Sequence, residues 1–274
     1  MKMCSVVTLT SAPGDFRRFF ADMDDPGGED LSGFDLRAHG YLKNEKVPVL
    51  FFGGDGKLRL EQKYFSLCPS WSNQWPFQFE TYNARLSRPK KVKDPHSGKW
   101  TFSTAADGTI IEEFIFSVPS FRDAFNAGQT CLVPISGAVE SCYFGESAGH
   151  IVRFCPQDNK FVFAIGLWND WVEPNNGEVI PTFTLLTDAP DPFVFSHGHD
   201  RGIVLLDPSD WREWLDGKKT SGRKRLEFIR ERRVRPAWRV EVERSLKPGW
   251  QKKAPSEKEI SEIQVWNPEA ERRA

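Results

Sequence analysis

The residue with the most distinctive potential chemistry is Cys4, near the start of the chain. A cysteine within a chain offers one nucleophile, its thiolate. A cysteine at a free N-terminus offers a thiol and an α-amine on adjacent carbons, and this pair can condense with an aldehyde to a five-membered thiazolidine. The α-amine has an ordinary pKa of about 7.7–8.0, so a fraction of it is neutral near pH 7. The alternative is that Cys4 is a small hydrophobe at the start of a strand, a common place for free cysteine.

Two candidate acid–base residues lie at the borders of strand-like segments. Glu140 ends the strand-like run 132–139, so its carboxylate either faces solvent or lies in a cleft that raises its pKa. His199 stands beside Asp200 and Arg201, directly before an apolar strand. These neighbours can hold an imidazole as a general acid or base, although a structural histidine in a surface loop is the alternative.

Other polar and aromatic residues could recognise a ligand. Asn83 and Arg85 follow an aromatic segment. Asparagine can orient a carbonyl or hydroxyl, and arginine can bind a phosphate through two parallel hydrogen bonds. Within that segment, Trp71 and Trp75 could stack on exposed nucleic-acid bases. The alternative for both rings is packing in the core.

The charge pattern limits where a nucleic acid could bind. The formal net charge is −1, so any such site must be local. Residues 217–236 contain nine basic and two acidic side chains, and Lys90, Lys91, Lys93 and Lys99 form a second basic stretch. A solvated helix face is the alternative interpretation of the first cluster.

The composition argues against several other classes of protein. The five cysteines are odd in number and lack C-x-x-C spacing, which favours free thiols in a reducing compartment. We find no paired zinc-type spacing, phosphate loop or dinucleotide fingerprint, so we expect no metal and no cofactor. No signal peptide follows Met1-Lys2 and no run of 18 apolar residues occurs, so we expect no membrane segment and a cytoplasmic location.

The elements that must position these residues are mainly strands. Ten tryptophans, 22 phenylalanines, 19 prolines and 21 glycines favour a β-rich fold with many turns. We predict strands over 4–10, 47–52, 58–65, 110–116, 130–140, 151–154, 161–168, 182–187, 202–206 and 238–243. We predict helices over 15–23, 120–127, 209–215 and 221–232, an acidic loop over 24–33 and a basic loop over 90–100. Together they predict an α+β fold with a curled, barrel-like mixed or antiparallel sheet and peripheral helices. Residues 1–246 are expected to form one domain, and 247–274 a loose polar tail.

The order of the motifs resembles the SRAP family, the SOS response-associated peptidase proteins. The motifs are Met3-Cys4, Phe65-Ser-Leu-Cys-Pro-Ser-Trp71, Tyr82-Asn-Ala-Arg85, Cys131-(x2)-Pro134-(x2)-Gly137-(x2)-Glu140 and His199-Asp-Arg201. They follow the family's order at similar spacing, over about residues 3–215. Near the nucleophile, Cys4-Ser-Val6 replaces the family's Cys-Gly-Arg, so a phosphate-binding arginine is missing there.

The resemblance implies a protein that shields abasic sites in single-stranded DNA through a covalent thiazolidine. Cys4 would be the nucleophile, and Asn83 would orient it and the opened sugar. Glu140 would relay protons at the amine and catalyse reversal of the link. His199 would donate a proton to the opening sugar and stabilise the imine.

The resemblance also assigns DNA-binding residues and partners. Arg85 would hold a phosphate, the loop with Pro69 and Trp71 would wedge against the DNA, and Arg201 would contact DNA. The expected partner is single-stranded DNA with abasic sites, without a membrane or a metal, and the protein is expected to be a monomer. A bacterial or phage-encoded member would associate with the nucleoid.

Two points about activity stay open at the level of sequence. Translation from Met3 would expose Cys4 after methionine removal, whereas translation from Met1 would require self-cleavage of Met1–Met3, the activity for which the family is named. The rival functions are a Cys/His/Glu thiol peptidase that acts on itself or on other proteins, and a non-catalytic DNA-binding relic of the fold.

Overall fold

The computed structural model describes residues 6–11, 34–158, 161–217 and 220–267. Cys4, the helix predicted over 15–23 and the acidic loop predicted over 24–33 lie outside the described residues.

Strands are the main elements of the described chain. They are β1 (Val6–Ser11), β2 (Phe34–His39), β3 (Lys46–Phe52), β4 (Leu58–Phe65), β5 (Asn83–Arg85), β6 (Ser87–Pro89), β7 (Lys91–Lys93), β8 (Trp100–Phe102), β9 (Glu112–Phe114), β10 (Thr130–Ile135), β11 (Gly137–Ser141), β12 (His150–Pro156), β13 (Val162–Val172), β14 (Val179–Asp188), β15 (Gly202–Ile203), β16 (Leu205–Leu206), β17 (Arg233–Val234) and β18 (Trp238–Ser245).

The helices are short and peripheral. The α-helices are α1 (Arg122–Ala127), α2 (Pro192–Ser196), α3 (Trp211–Leu215), α4 (Gly222–Arg232) and α5 (Glu257–Ser261). Single 3-10 turns cover Gly40–Leu42, Ile115–Ser117, Pro208–Asp210 and Trp250–Lys253. None of the described helices combines the length and the apolar character that a membrane span requires.

A closed barrel forms the centre of the fold. Five strands pair in a ring, in the order β3, β4, β14, β13, β10 and back to β3. All contacts in the ring are antiparallel except that of β14 with β4. β13 is buried on both faces, as its apolar sequence predicts, because one face packs in each of two apolar clusters. The prediction of an α+β fold with a curled mixed or antiparallel sheet is therefore confirmed.

A second sheet curls beside the barrel. Its antiparallel order is β18-β12-β11-β1-β2. The two edge strands are joined by Arg37 on β2 and Glu243 on β18, whose charged groups make two hydrogen bonds of 2.8 Å. Strands in a sheet lie about 4.8 Å apart, so edges four spacings apart can meet only if the sheet curls strongly. One apolar cluster joins this sheet to the barrel, because it contains Val7 and Val152 of the sheet together with Phe183 of the barrel.

The chain passes between the two sheets at Ser136. The segment 130–140 is predicted as one strand, but it is two, because β10 belongs to the barrel and β11 to the curled sheet. The Ser136 amide donates to the carbonyl of Thr8 at the junction. Pro134 is tolerated inside β10 because β3 pairs only with Cys131 and Leu132, which leaves an edge-like position beside the proline.

Two further predictions are corrected by the structure. The segment 90–100, predicted as a loop, forms most of the β7–β8 hairpin, and the strand predicted over 110–116 is only β9. The chain after Lys247 is predicted as loose, but up to residue 267 it carries α5 and the buried Trp266, whose amide donates to the carbonyl of Pro190. The domain boundary at 246 stays a prediction.

Candidate functional site

Glu140 is a buried carboxylate on the curled sheet. It lies on β11 opposite Val152, and only 3% of its surface is exposed. Neighbouring side chains on a strand point to opposite faces, so Glu140 faces the side where Val7 and Val152 pack, away from Val139. Of the two positions left open by the sequence, the structure has the buried one.

His199 is held against Glu140 by a close approach of two backbones. Its Nε2 lies 3.3 Å from Oε2 of Glu140, and its side chain is fully buried, so it is not the surface histidine that the sequence left as an alternative. The Tyr143 amide donates to the carbonyl of Gly198, which ties the residue before His199 to the end of β11. A Cβ on Gly198, which has a φ of 98°, would lie 1.6 Å from the carbonyl oxygen of Phe144, so only glycine fits.

The short strand β5 brings Asn83 and Arg85 to the same region. β5 runs parallel to β14, with Arg85 opposite Thr187. On the other side of β14, Asp188 pairs with Gly202, the residue after Arg201. The end of β14 therefore lies between Arg85 and Arg201.

The electrostatics show that these groups act on one another. Burial lowers the pKa of the Arg85 guanidinium, and the positive charge of Arg201 lowers it further. Burial raises the pKa of the Tyr82 phenol, and the carboxylates of Glu80 and Glu140 raise it further. The residue before Asn83 is thus within electrostatic reach of Glu140.

Several buried donors of this cluster make no hydrogen bond with described residues. They are Nε of Arg85, Nε of Arg201 and Nδ1 of His199. Nε2 of His199 is within ion-pair distance of Glu140 but is not aligned for a hydrogen bond. A buried donor without a partner costs about 1–3 kcal/mol, so several in one place indicate a site for a polar ligand.

A cleft of about 650 Å³ lies against the curled sheet. Its lining residues include Val6, Arg37, His39, Tyr41, Val139, Glu140, Ser141, Tyr143, Ile151, Arg244 and Lys253. Its volume is typical of a ligand site. Val6, the first described residue of β1, is part of this lining.

Glu140 also lines a second, water-sized cavity of about 30 Å³. Arg201, Arg233 and Trp266 line this inner cavity with it. Arg233 pairs with Asp188 at 2.8 Å, and its guanidinium lies 3.8 Å from the centre of the Trp266 ring. Burial raises the pKa of the Asp188 carboxyl. Glu140 is thus among the residues that line both cavities, but its side chain points to the sheet face opposite to Val6, Val139 and Ser141 of the outer cleft.

Three of the four predicted DNA-binding residues, Arg85, Pro69 and Trp71, are absent from the lining of both cavities. Pro69 is buried, and Trp71 is 48% exposed. The Trp71 indole donates to the carbonyl of Pro119 at 2.9 Å, and its ring meets the edge of Phe77. Neither Pro69 nor Trp71 is among the residues that line the two cavities described above.

Sequence reasoning missed the basic lining of the cleft. Arg37, Arg244 and Lys253 belong to none of the motifs, and Lys253 lies in the segment predicted as loose. The alternation of β2 could have suggested Arg37, because it shares a face with His39 and Val6 in the observed register. No local signal pointed to Lys253.

The described cysteines are poor nucleophiles. Cys68, Cys131, Cys142 and Cys155 are free and buried. Burial and the charge of Glu140 raise the pKa of the Cys142 thiol to about 12, and burial raises that of Cys68 to about 11. No group of three or more metal-ligating side chains occurs among the described residues.

Comparisons with known proteins agree with this fold. A model of the family "SOS response associated peptidase (SRAP)" matches residues 88–245, more than half of the chain. A solved protein from Bordetella bronchiseptica has a TM-score of 0.58 at 17% identity, over 87% of this chain and 99% of that one. A solved protein from Bacteroides thetaiotaomicron has a TM-score of 0.58 at 15% identity, over 96% of this chain and 100% of that one. A phage-related protein from Bordetella bronchiseptica has a TM-score of 0.55 at 16% identity, over 87% of this chain and 93% of that one.

At these identities the solved structures support the fold alone. No curated protein matches the chain by sequence. The family model covers β6 to β18 and so includes Glu140 and His199. On the strength of that match, the chain belongs to the SRAP family.

Proposed function

We propose that this SRAP protein binds single-stranded DNA and links covalently to abasic sites through Cys4, once Met1–Met3 have been removed. The observation that carries the proposal is the buried contact of Glu140 with His199, beside the start of β1. Val6 pairs with Val139, the residue before Glu140, so the start of β1 lies beside the backbone that carries Glu140.

The proposed chemistry is balanced in two steps. The neutral α-amine of Cys4 adds to the aldehyde carbon of the ring-opened sugar, and loss of one water gives an imine. The Cys4 thiol gives up its proton to the imine nitrogen, and the resulting thiolate adds to the imine carbon and closes the thiazolidine, so the net products are the crosslink and water. His199 supplies the proton that opens the sugar, and Glu140 takes protons from the amine and returns them when the link reverses. Such proton transfer contributes about 10²–10⁴-fold to a rate.

DNA binding is proposed to use two sets of cations. Arg37, Arg244 and Lys253 line the outer cleft, and Arg85 and Arg201 lie deeper. Asp200, 3.4 Å from Arg201, and Asp188 partly offset the repulsion between the two deeper guanidinium groups. A phosphate between them would offset more of it and satisfy their Nε donors. Asn83, buried beside them, is suited to orient the opened sugar.

The test is incubation with an oligonucleotide that carries one abasic site, followed by a denaturing gel and intact-mass measurement. We expect a covalent product from wild type, none from Cys4→Ala, and none with the intact oligonucleotide. The protein in the product should begin at Cys4. A covalent product from protein that retains Met1 would contradict the mechanism.

The rival functions give different results in the same experiment. A non-catalytic relic would bind the strand equally well with or without Cys4→Ala and form no covalent product. A peptidase is favoured by the family's description, and its first substrate would be its own N-terminal segment. A peptidase that acts on proteins would form no covalent product with either oligonucleotide.

A further inference from the structure

The hairpin of β7 and β8 exposes apolar side chains to solvent. Trp100 is 67% exposed, Phe102 is 50% exposed and Val92 is 39% exposed. Every residue of the two strands is exposed. Large exposed apolar groups in one place mark interaction surfaces.

The strand register places lysines beside the aromatic rings. Lys91 is directly opposite Phe102, and Lys93 is directly opposite Trp100. Residues directly opposite each other on an antiparallel pair share a face of the sheet, so one face carries two lysine–aromatic pairs. Nζ of Lys91 lies 5.5 Å from the centre of the Phe102 ring.

The charge of this hairpin is unbalanced. Residues 90–102 contain four lysines and one carboxylate, Asp94. The Asp94 carboxylate accepts hydrogen bonds from the amides of His96 and Ser97, which lower its pKa and occupy it in the turn. The four lysines make no ion pair with described residues. The surface therefore fits a ligand that is both anionic and rich in flat rings.

The hairpin starts at the proposed active site. β5, which carries Asn83 and Arg85, leads through β6 into β7, and Glu112 on the paired strand β9 acts electrostatically on Arg85. Lys91 is six residues after Arg85, and six residues span at most about 20 Å. A single strand whose phosphate is held by Arg85, as in the proposed function, can therefore extend onto the hairpin.

We propose that the lysine–aromatic face of the β7–β8 hairpin is a second contact for single-stranded nucleic acid, where bases stack on Trp100 and Phe102 and phosphates meet Lys91 and Lys93. Such stacking is tolerant of sequence because every base has a flat face. A second copy of this chain is a poorer occupant, because a two-fold contact would bring the lysines of both copies together. The inference deepens the proposed function and rests on it for the route of the strand.

The test is the affinity of full-length protein for a fluorescent oligothymidine that has no abasic site. Trp100→Ala/Phe102→Ala should weaken binding about tenfold or more, since stacking on one aromatic ring is worth about that much. The matched control is Val172→Ala/Val179→Ala, two valines 54% and 55% exposed at the β13–β14 turn, which should bind like wild type. The loss should be confined to oligonucleotides long enough to reach the hairpin.

Each outcome separates the two proposals. Equal affinity of wild type and the hairpin variant for long strands, with crosslinking intact, would overturn the hairpin contact and leave the proposed function. Hairpin-dependent binding without any crosslink would overturn the proposed function and leave the hairpin contact. Self-association that disappears in Trp100→Ala/Phe102→Ala, without any change in strand affinity, would show that the face binds protein and would overturn the inference.

Discussion

The site around Glu140 and the β7–β8 hairpin both depart from the usual distribution of side chains, in which polar groups are exposed and apolar groups are buried. Glu140 and His199 are polar and almost fully buried, whereas Trp100 and Phe102 are apolar and exposed. Folded proteins usually do the reverse, so both regions indicate function. The buried site uses donors held in a fixed geometry, and the hairpin offers a surface on which a flexible ligand can lie. Substitutions in the first should therefore affect chemistry and stability, and substitutions in the second only binding.

The largest effect is expected from Glu140→Gln, which keeps the shape of the side chain and removes its proton-transfer role. The rate of crosslink formation or reversal should fall about 10²–10⁴-fold, measured in single turnover on an abasic oligonucleotide. Glu146→Gln, at a 67% exposed carboxylate nearby, is the control and should react like wild type. A rate within twofold of wild type for Glu140→Gln would place the chemistry elsewhere.

Burial should also suppress the reactivity of the four described cysteine thiols. The pKa of the Cys142 thiol is raised to about 12, so its thiolate fraction at pH 8 is about a thousandfold below that of an ordinary thiol. In Cys4→Ala, iodoacetamide should therefore label no cysteine in the native state and four in urea. Because the folded pKa exceeds the unfolded one, the thiols add stability below pH 9 that is lost as the pH rises toward 12. Fast native labelling of any of the four would show that this side is open to solvent.

Two tryptophans permit a direct comparison of the two environments. Trp266 is 7% exposed and lines the inner cavity, whereas Trp100 is 67% exposed. Trp266→Ala should lower the free energy of unfolding by about 3 kcal/mol, because it leaves a cavity. Trp100→Ala should change it by less than about 0.5 kcal/mol. Urea unfolding monitored by circular dichroism measures both changes in free energy. Similar changes for the two variants would contradict the difference between the two environments.

The smallest effect is expected in the salt dependence of strand binding. Each phosphate contact with a single strand adds about 0.7 to the slope of log K against log salt. Lys91→Gln/Lys93→Gln should therefore reduce the slope by about 1.4, while Lys57→Gln, on the β3–β4 turn, should leave it unchanged. An unchanged slope in the hairpin variant would mean that its lysines meet no phosphates.

Local patterns predicted much of the barrel. The glycine turn 53–56 gave the β3–β4 hairpin, and α1 ends at Gly128, which has a φ of 68°. Ser221 caps the N-terminus of α4, as is common for a short polar residue directly before a helix. These features depend on neighbours in sequence, so a single sequence contains their signal.

Long-range contacts could not be predicted in the same way. Arg37 and Glu243 are 206 residues apart, and nothing near either one indicates the other. The division of 130–140 at Ser136 depends on which sheet each half joins, and the burial of Trp266 depends on Arg233 and Pro190. Ordered motifs pointed to Glu140 and His199, but the basic lining of the cleft appears only once the sheet has curled.

The link between Arg37 and Glu243 has a consequence for how firmly the curled sheet is closed. Within the described residues, the two edges of the curled sheet share no backbone ladder, so the ring is closed there by side chains. Parting an ion pair of this exposure costs about 0.2–1 kcal/mol, far less than breaking a strand pairing, and added salt lowers the cost. The contact between the two edges is therefore the part of the curled sheet that high salt should loosen first.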